Sequence, residues 1–154
     1  ARFEAGDIKG AFELINDCWG NMVDKEPGTF WECVDADTGE FPLRTFFPGS
    51  TMDSFNSAAH GWSGWISFIM QAYILGIKPE EPGFKRVRIS PKTGDLNNVE
   101  GAIPTPYGNI SVKIAKSNTN YGVQVYYPKE IKCIVEITDD ERKGLDVIIT
   151  NDGI

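Results

Sequence analysis

The densest set of groups able to move protons lies near the amino end, where Glu32, Asp35, Asp37 and Glu40 follow directly on Phe30 and Trp31. A carboxylate beside large aromatic side chains is partly desolvated and suited to taking up or releasing a proton. Indole faces also stack on sugar rings, so the combination suits glycoside chemistry. A run of acids in a loop is more often simply solvated, and spacing alone is a weak signal. His60 is the second candidate, in Ser57-Ala58-Ala59-His60-Gly61-Trp62-Ser63-Gly64-Trp65. A lone histidine at a helix end is ordinarily satisfied by a backbone partner. Here Gly61 and Gly64 leave the backbone open and two tryptophans follow, which makes a stacking wall with a hydrogen-bonding tip. No G-x-S-x-G elbow surrounds Ser57 or Ser63, so a Ser-His-Asp triad is not supported.

Metal and redox chemistry find less support. Asp35-Ala36-Asp37-Thr38-Gly39-Glu40 is the one candidate calcium loop, and the fit is poor: Gly39 stands fifth, where an EF-hand needs an oxygen ligand, and Glu40 stands sixth, where it needs glycine. No cofactor is expected. With one histidine, and with Cys18, Cys33 and Cys133 forming no C-x-x-C pair, neither a common zinc site nor a disulfide scaffold is indicated. Tyr107, Tyr121, Tyr126 and Tyr127 could line a sugar-binding face, but aromatic residues favour strands for packing reasons alone.

The elements that must position these groups change along the chain. From Asp7 to about Asp24, Ile8, Ala11, Phe12, Ile15, Cys18, Trp19, Met22 and Val23 recur at helical spacing, and Pro27-Gly28 ends the pattern. Residues 28–56 read as a long irregular connection, packed by Phe30, Trp31, Phe41, Phe46, Phe47 and Phe55. A second helix is expected to start after Asn56 or Ser57 as cap and to run to Leu75, closed by Gly76 and Pro79. Its apolar residues, Trp62 to Leu75, circle most of the cylinder, so it needs cover on several sides. Beyond Pro82-Gly83 come short β-type runs at 87–89, 99–103, 110–115, 123–127, 131–137 and 145–149, separated by turn clusters; the spacing suggests an antiparallel sandwich.

Composition sets the outer bounds. The chain has 154 residues, 41% hydrophobic, with a formal net charge of −7. That length holds a real core. Residues 1–60 carry eleven acidic against four basic side chains, and the rest is balanced. Nothing concentrates cations to meet nucleic acid or an anionic membrane, so neither is an expected partner. The apolar stretch 62–77 is interrupted and too short to span a bilayer. The opening Ala1-Arg2-Phe3-Glu4 has no initiator methionine and no signal core, which suggests a fragment.

Five segments in fixed order carry a resemblance: Gly28-Thr29-Phe30-Trp31-Glu32; Ser54-Phe55-Asn56-Ser57-Ala58-Ala59-His60-Gly61-Trp62-Ser63; Leu75-Gly76-Ile77; Pro82-Gly83-Phe84-Lys85-Arg86-Val87-Arg88-Ile89; and Ile103-Pro104-Thr105-Pro106-Tyr107-Gly108-Asn109-Ile110. Together they resemble the C-terminal end of bacterial α-L-rhamnosidases of glycoside hydrolase family 78. The resemblance covers roughly residues 5–127. It implies an α+β chain: residues 1–78 as the final helices of an (α/α)6 barrel, and residues 83–154 as an antiparallel β-sandwich. It further implies inverting hydrolysis of terminal α-L-rhamnose, with Glu32 as general base and Trp31, His60 and Trp62 contacting the sugar. The general acid lies earlier in the barrel, outside this chain, which would then be inactive alone. A rhamnose-containing carbohydrate and the remainder of the barrel are the implied partners. An uncovered second helix would also promote self-association of the isolated chain. The alternative reading is a non-catalytic carbohydrate-binding or structural accessory module.

Overall fold

The computed structural model describes residues 1–46, 53–143 and 146–153. Phe47, Pro48 and Gly49 of the expected connection, and Leu145 of the expected last strand, lie outside them. The chain divides into two compact units, Ala1–Ser67 and Phe68–Ile154.

In the first unit, Asp7 caps the first helix by accepting a hydrogen bond from the Gly10 N–H at 3.0 Å. An α-helical part, Ile8–Ile15, continues as a π-helical stretch, Asn16–Gly20, and closes with a turn at Asn21–Val23. The helical pattern expected from Asp7 to about Asp24 thus forms, with a π distortion that apolar spacing does not reveal. Phe3 packs edge-on against Phe12 at 5.9 Å. Most of the connection that follows is irregular. Its only regular pairing among the described residues is a short antiparallel ladder between β1 (Arg44–Phe46) and β2 (Asp53–Phe55).

The second helix begins later than expected. Its cap is His60, and neither Asn56 nor Ser57 fills that role. The physical reason is that both backbone polar groups of Ser57 are taken by Glu32, and the chain passes through a bend at Ala58–Ala59 to an extended His60 before it can coil. From there it runs as a 3-10 stretch (Gly61–Trp65), an α turn (Ile66–Ile69) and a π stretch (Met70–Ile74), ending at Leu75. Among the described residues, no helix is long and apolar enough to cross a membrane.

In the second unit, Gly76 (φ +75°) makes the turn into β3 (Ile77–Pro79). A Cβ there would sit 2.2 Å from the Ser90 carbonyl carbon, so the close approach requires glycine. Two sheets follow. The first orders β3, β4 (Arg86–Ile89) and β8 (Lys132–Val135); the second orders β5 (Asn98–Thr105), β6 (Gly108–Lys116), β7 (Asn120–Tyr127) and β9 (Asp146–Gly153). Alternation places Ile110, Val112 and Ile114 of β6 and Tyr121, Val123 and Val125 of β7 on the inner face, each at most 1% exposed. Leu75, Ile77, Val87, Ile89, Ile103 and Ile131 complete the same core. Burying each such side chain contributes roughly 1.5–3 kcal/mol.

The sheets are mostly antiparallel, as the short runs suggest, but β4 pairs with β8 and β7 with β9 in parallel. Long-range partners of this kind leave no mark on local spacing. Strand β3, the 3-10 turn Pro82–Phe84 and a short helix at Asp139–Arg142 also escape the sequence pattern.

Candidate functional site

All four sequence-predicted site residues fall in the first unit, where the stretch 29–32 runs beside 57–60. The Glu32 N–H donates to the Ser57 carbonyl at 2.8 Å, and the His60 N–H to the Phe30 carbonyl at 2.8 Å. The Thr29 hydroxyl donates to the Ala58 carbonyl and the Ser63 hydroxyl to the Trp31 carbonyl. Trp19 Nε1 in turn donates to the Ser63 carbonyl at 3.0 Å, tying the first helix to the platform. Motifs far apart in sequence are thus sewn together through backbone groups.

Within this platform Glu32 is half-buried. Its Oε2 accepts from the Ser57 N–H at 2.7 Å, while no hydrogen bond falls on Oε1 among the described residues. One oxygen therefore fixes the carboxylate and the other is available. Trp62 Nε1 donates to the Glu32 carbonyl at 2.7 Å, so the indole is oriented from the same residue. His60 stacks on Trp62, centroids 4.4 Å apart and planes 38° apart. Its Nδ1 accepts from the Trp62 N–H at 3.3 Å, which puts the proton of the neutral imidazole on Nε2 as a donor. Trp62 is 63% exposed and presents a free aromatic face.

Trp31 departs from its expected role. It is 2% exposed, packed at 5.6 Å against Phe41, with its backbone N–H against Met22 Sδ. The ring is enclosed and presents no open face in this chain. Aromatic character beside an acid reads the same in sequence whether the ring faces inward or outward, and only Phe41 and Met22 decide it here. The Ser57 N–H is the contributor that sequence reasoning missed, because a backbone donor has no residue signature.

The other acids stand apart. Asp35 Oδ1 accepts from the Thr38 N–H at 2.9 Å, the Thr38 hydroxyl at 3.0 Å and the Asp37 N–H at 3.1 Å. These bonds, the Thr38 N–H first, hold its carboxyl below the usual aspartate range. Glu40 pairs with Lys25. Among the described residues no group of three or more His, Cys, Asp or Glu side chains is placed to hold a metal ion. A cleft of about 560 Å³ lies between Asn16–Asn21 and Val34–Gly39, and none of the four candidate residues lines it. Of these candidates, Trp62 is the one that stands well out, at 63% exposure, while Glu32 is half-buried.

With this geometry in place, comparison with known proteins becomes decisive. Residues 76–147 match the model of the bacterial α-L-rhamnosidase C-terminal domain. An α-L-rhamnosidase from an Alteromonas strain is 34% identical over 83% of this chain. The chain belongs to the bacterial α-L-rhamnosidase family. Another relative, the α-L-rhamnosidase of Formosa agariphila, is 25% identical over 94% of the chain. The chain spans only 14% and 15% of these two relatives. The fold matches the crystal structure of a glycoside hydrolase family 78 rhamnosidase from a Bacillus strain, with TM-score 0.77 and 23% identity over 99% of this chain and 15% of that one.

Proposed function

We propose that this chain is the C-terminal part of an inverting α-L-rhamnosidase, and that Glu32 is the base that activates the attacking water. The observation that carries this is the half-committed carboxylate: Oε2 is held by Ser57, no hydrogen bond falls on Oε1 among the described residues, and the stacked His60–Trp62 pair is tied to the Glu32 carbonyl. A water held by Oε1 would lose its proton to the carboxylate as its oxygen bonds to the anomeric carbon. Inversion requires the acid to stand across the bond, with the carboxyl groups roughly 6.5–9.5 Å apart to admit that water. That acid belongs to the remainder of the enzyme, so the chain alone is inactive. His60 Nε2–H would donate to a sugar hydroxyl and Trp62 would cover the apolar face of the ring. Trp31 keeps a positioning role.

The remaining walls of the site would come from the rest of an (α/α)6 barrel. Residues 1–78 would be its final helices and residues 83–154 the sandwich that follows. In the first unit's part of the second helix Trp62 and Trp65 are 63% and 57% exposed, an apolar flank that a neighbouring helix would cover. Uncovered, the same flank would drive self-association of the isolated chain. The test is the anomeric configuration released from an aryl α-L-rhamnoside by the intact protein, followed by NMR. β-L-Rhamnose as the first product supports the proposal, and α-L-rhamnose contradicts it.

A further inference from the structure

A second polar site lies in the β unit, remote in sequence from Glu32. Glu141, in the short helix after β8, is 5% exposed. Its Oε1 gathers the Thr93 N–H at 2.7 Å, the Thr93 hydroxyl, the Tyr121 hydroxyl at 3.2 Å and the Lys116 ammonium at 3.4 Å. Among the described residues no hydrogen bond falls on Oε2. Yet Glu141 lines a cleft of about 180 Å³ with Asn97, Lys116 and Ser117 at its sides. Lys116 is likewise withdrawn, its side chain 10% exposed, with one N–H on the Gly94 carbonyl at 2.7 Å. The pair is compensated through Glu141 Oε1, which leaves Oε2 and the Lys116 ammonium beside the open cleft with capacity for one more partner.

We infer that this cleft binds one saccharide ring through a pair of neighbouring hydroxyls. A vicinal diol matches the site: one hydroxyl donates to Glu141 Oε2 and accepts from Lys116 Nζ, while the Asn97 amide can meet a second hydroxyl. Charges of both signs line the cleft: Lys116 pairs with Glu141 and, at the rim, Lys143 with Asp95 at 2.7 Å, with Arg142 beside them. The volume equals about six liquid waters, the size of a single ring rather than a chain. No aromatic side chain lines the cleft, so affinity rests on hydrogen bonds alone, in the millimolar class.

That the ring is L-rhamnose rests on the proposed function. Hydrogen exchange by mass spectrometry, on the intact protein carrying this chain, tests it with L-rhamnose and, separately, inorganic phosphate. Residues 93–97 and 138–143 should exchange more slowly as L-rhamnose is raised, with saturation. Asn97→Ala should weaken that protection, since the variant keeps the backbone carbonyl that accepts from the Lys116 N–H. Lys116→Met should abolish it. Protection at 29–32 and 57–62 reports the Glu32 site separately, so each reading can fail alone. Unchanged exchange at 93–97 and 138–143, or protection by phosphate in place of rhamnose, overturns the inference, as does full protection in Asn97→Ala.

Discussion

The two units solve the same problem in opposite ways. The β unit gathers its aliphatic side chains from two sheets into one closed core, with Val87, Ile89, Ile110 and Val125 at 0% exposure. The first unit buries Phe3, Ala11, Met22, Trp31 and Ile66, but leaves Val23, Leu43, Phe55, Trp62 and Trp65 more than half exposed. Strand alternation segregates apolar from polar within a few residues, so a sheet pair can close on itself. A helix that is apolar on most sides cannot, and it fits a role as part of a larger assembly. The candidate site sits in the unit that is not closed, and its residues are held by backbone hydrogen bonds more than by a core.

That contrast can be broken by substitution. The largest loss is expected for Glu141→Ala, about 3–5 kcal/mol, because it strands the Lys116 ammonium and removes an acceptor from Thr93 and Tyr121. Urea unfolding monitored within the β unit measures it; a loss below about 1 kcal/mol would mean that the buried network contributes little. Ile110→Ala should follow at about 2–5 kcal/mol by the same measurement, as expected for a fully enclosed side chain. Trp62→Ala, on the open unit, should cost about 1 kcal/mol or less, chiefly its bond to the Glu32 carbonyl, while raising KM in the intact protein. If Trp62→Ala instead destabilised as much as Ile110→Ala, the distinction between closed and open units would fail.

The closed unit was also the more legible one. Runs such as Ile110-Ser111-Val112-Lys113-Ile114 state their inner face directly, and each of the six expected runs overlaps a strand, although the run at 131–137 is strand only over Lys132–Val135. What could not be read was which strands pair in parallel, since β7 meets β9 across an intervening sheet strand and a helical turn. In the open unit the order of motifs brought Glu32 and His60 forward together. The inward turn of Trp31 and the anchoring Ser57 N–H depend on tertiary contacts with no local pattern. The late start of the second helix has the same cause: a cap candidate at Ser57 is overridden when its backbone is already bound.

Smaller effects sharpen the comparison chemically. Cys133, on the edge strand β8 of the three-stranded sheet, has its thiol pushed up to about 11 by burial. Alkylation at neutral pH should therefore be slow in the folded protein and fast in urea; rapid labelling without denaturant would show that β8 opens. Asp35 gives the smallest effect. Its folded-state pKa lies below the ordinary 3.8, so its stabilisation is present above that value and is lost as pH falls through the lower folded value. Asp35→Asn should lower stability slightly at neutral pH and leave the acid end nearly unchanged, so that the acid limb of the profile flattens, as measured by melting temperature against pH. An unaltered acid limb would remove the Thr38 bonds from the account.

The central claim concerns one carboxylate, and steady-state kinetics of Glu32→Gln in the intact protein address it most directly. Glutamine keeps an oxygen for the Ser57 N–H but cannot take a proton from water. On an aryl α-L-rhamnoside, kcat should fall by about 10²–10⁴-fold with KM and melting temperature nearly unchanged. A variant with near-normal kcat would take Glu32 out of the mechanism.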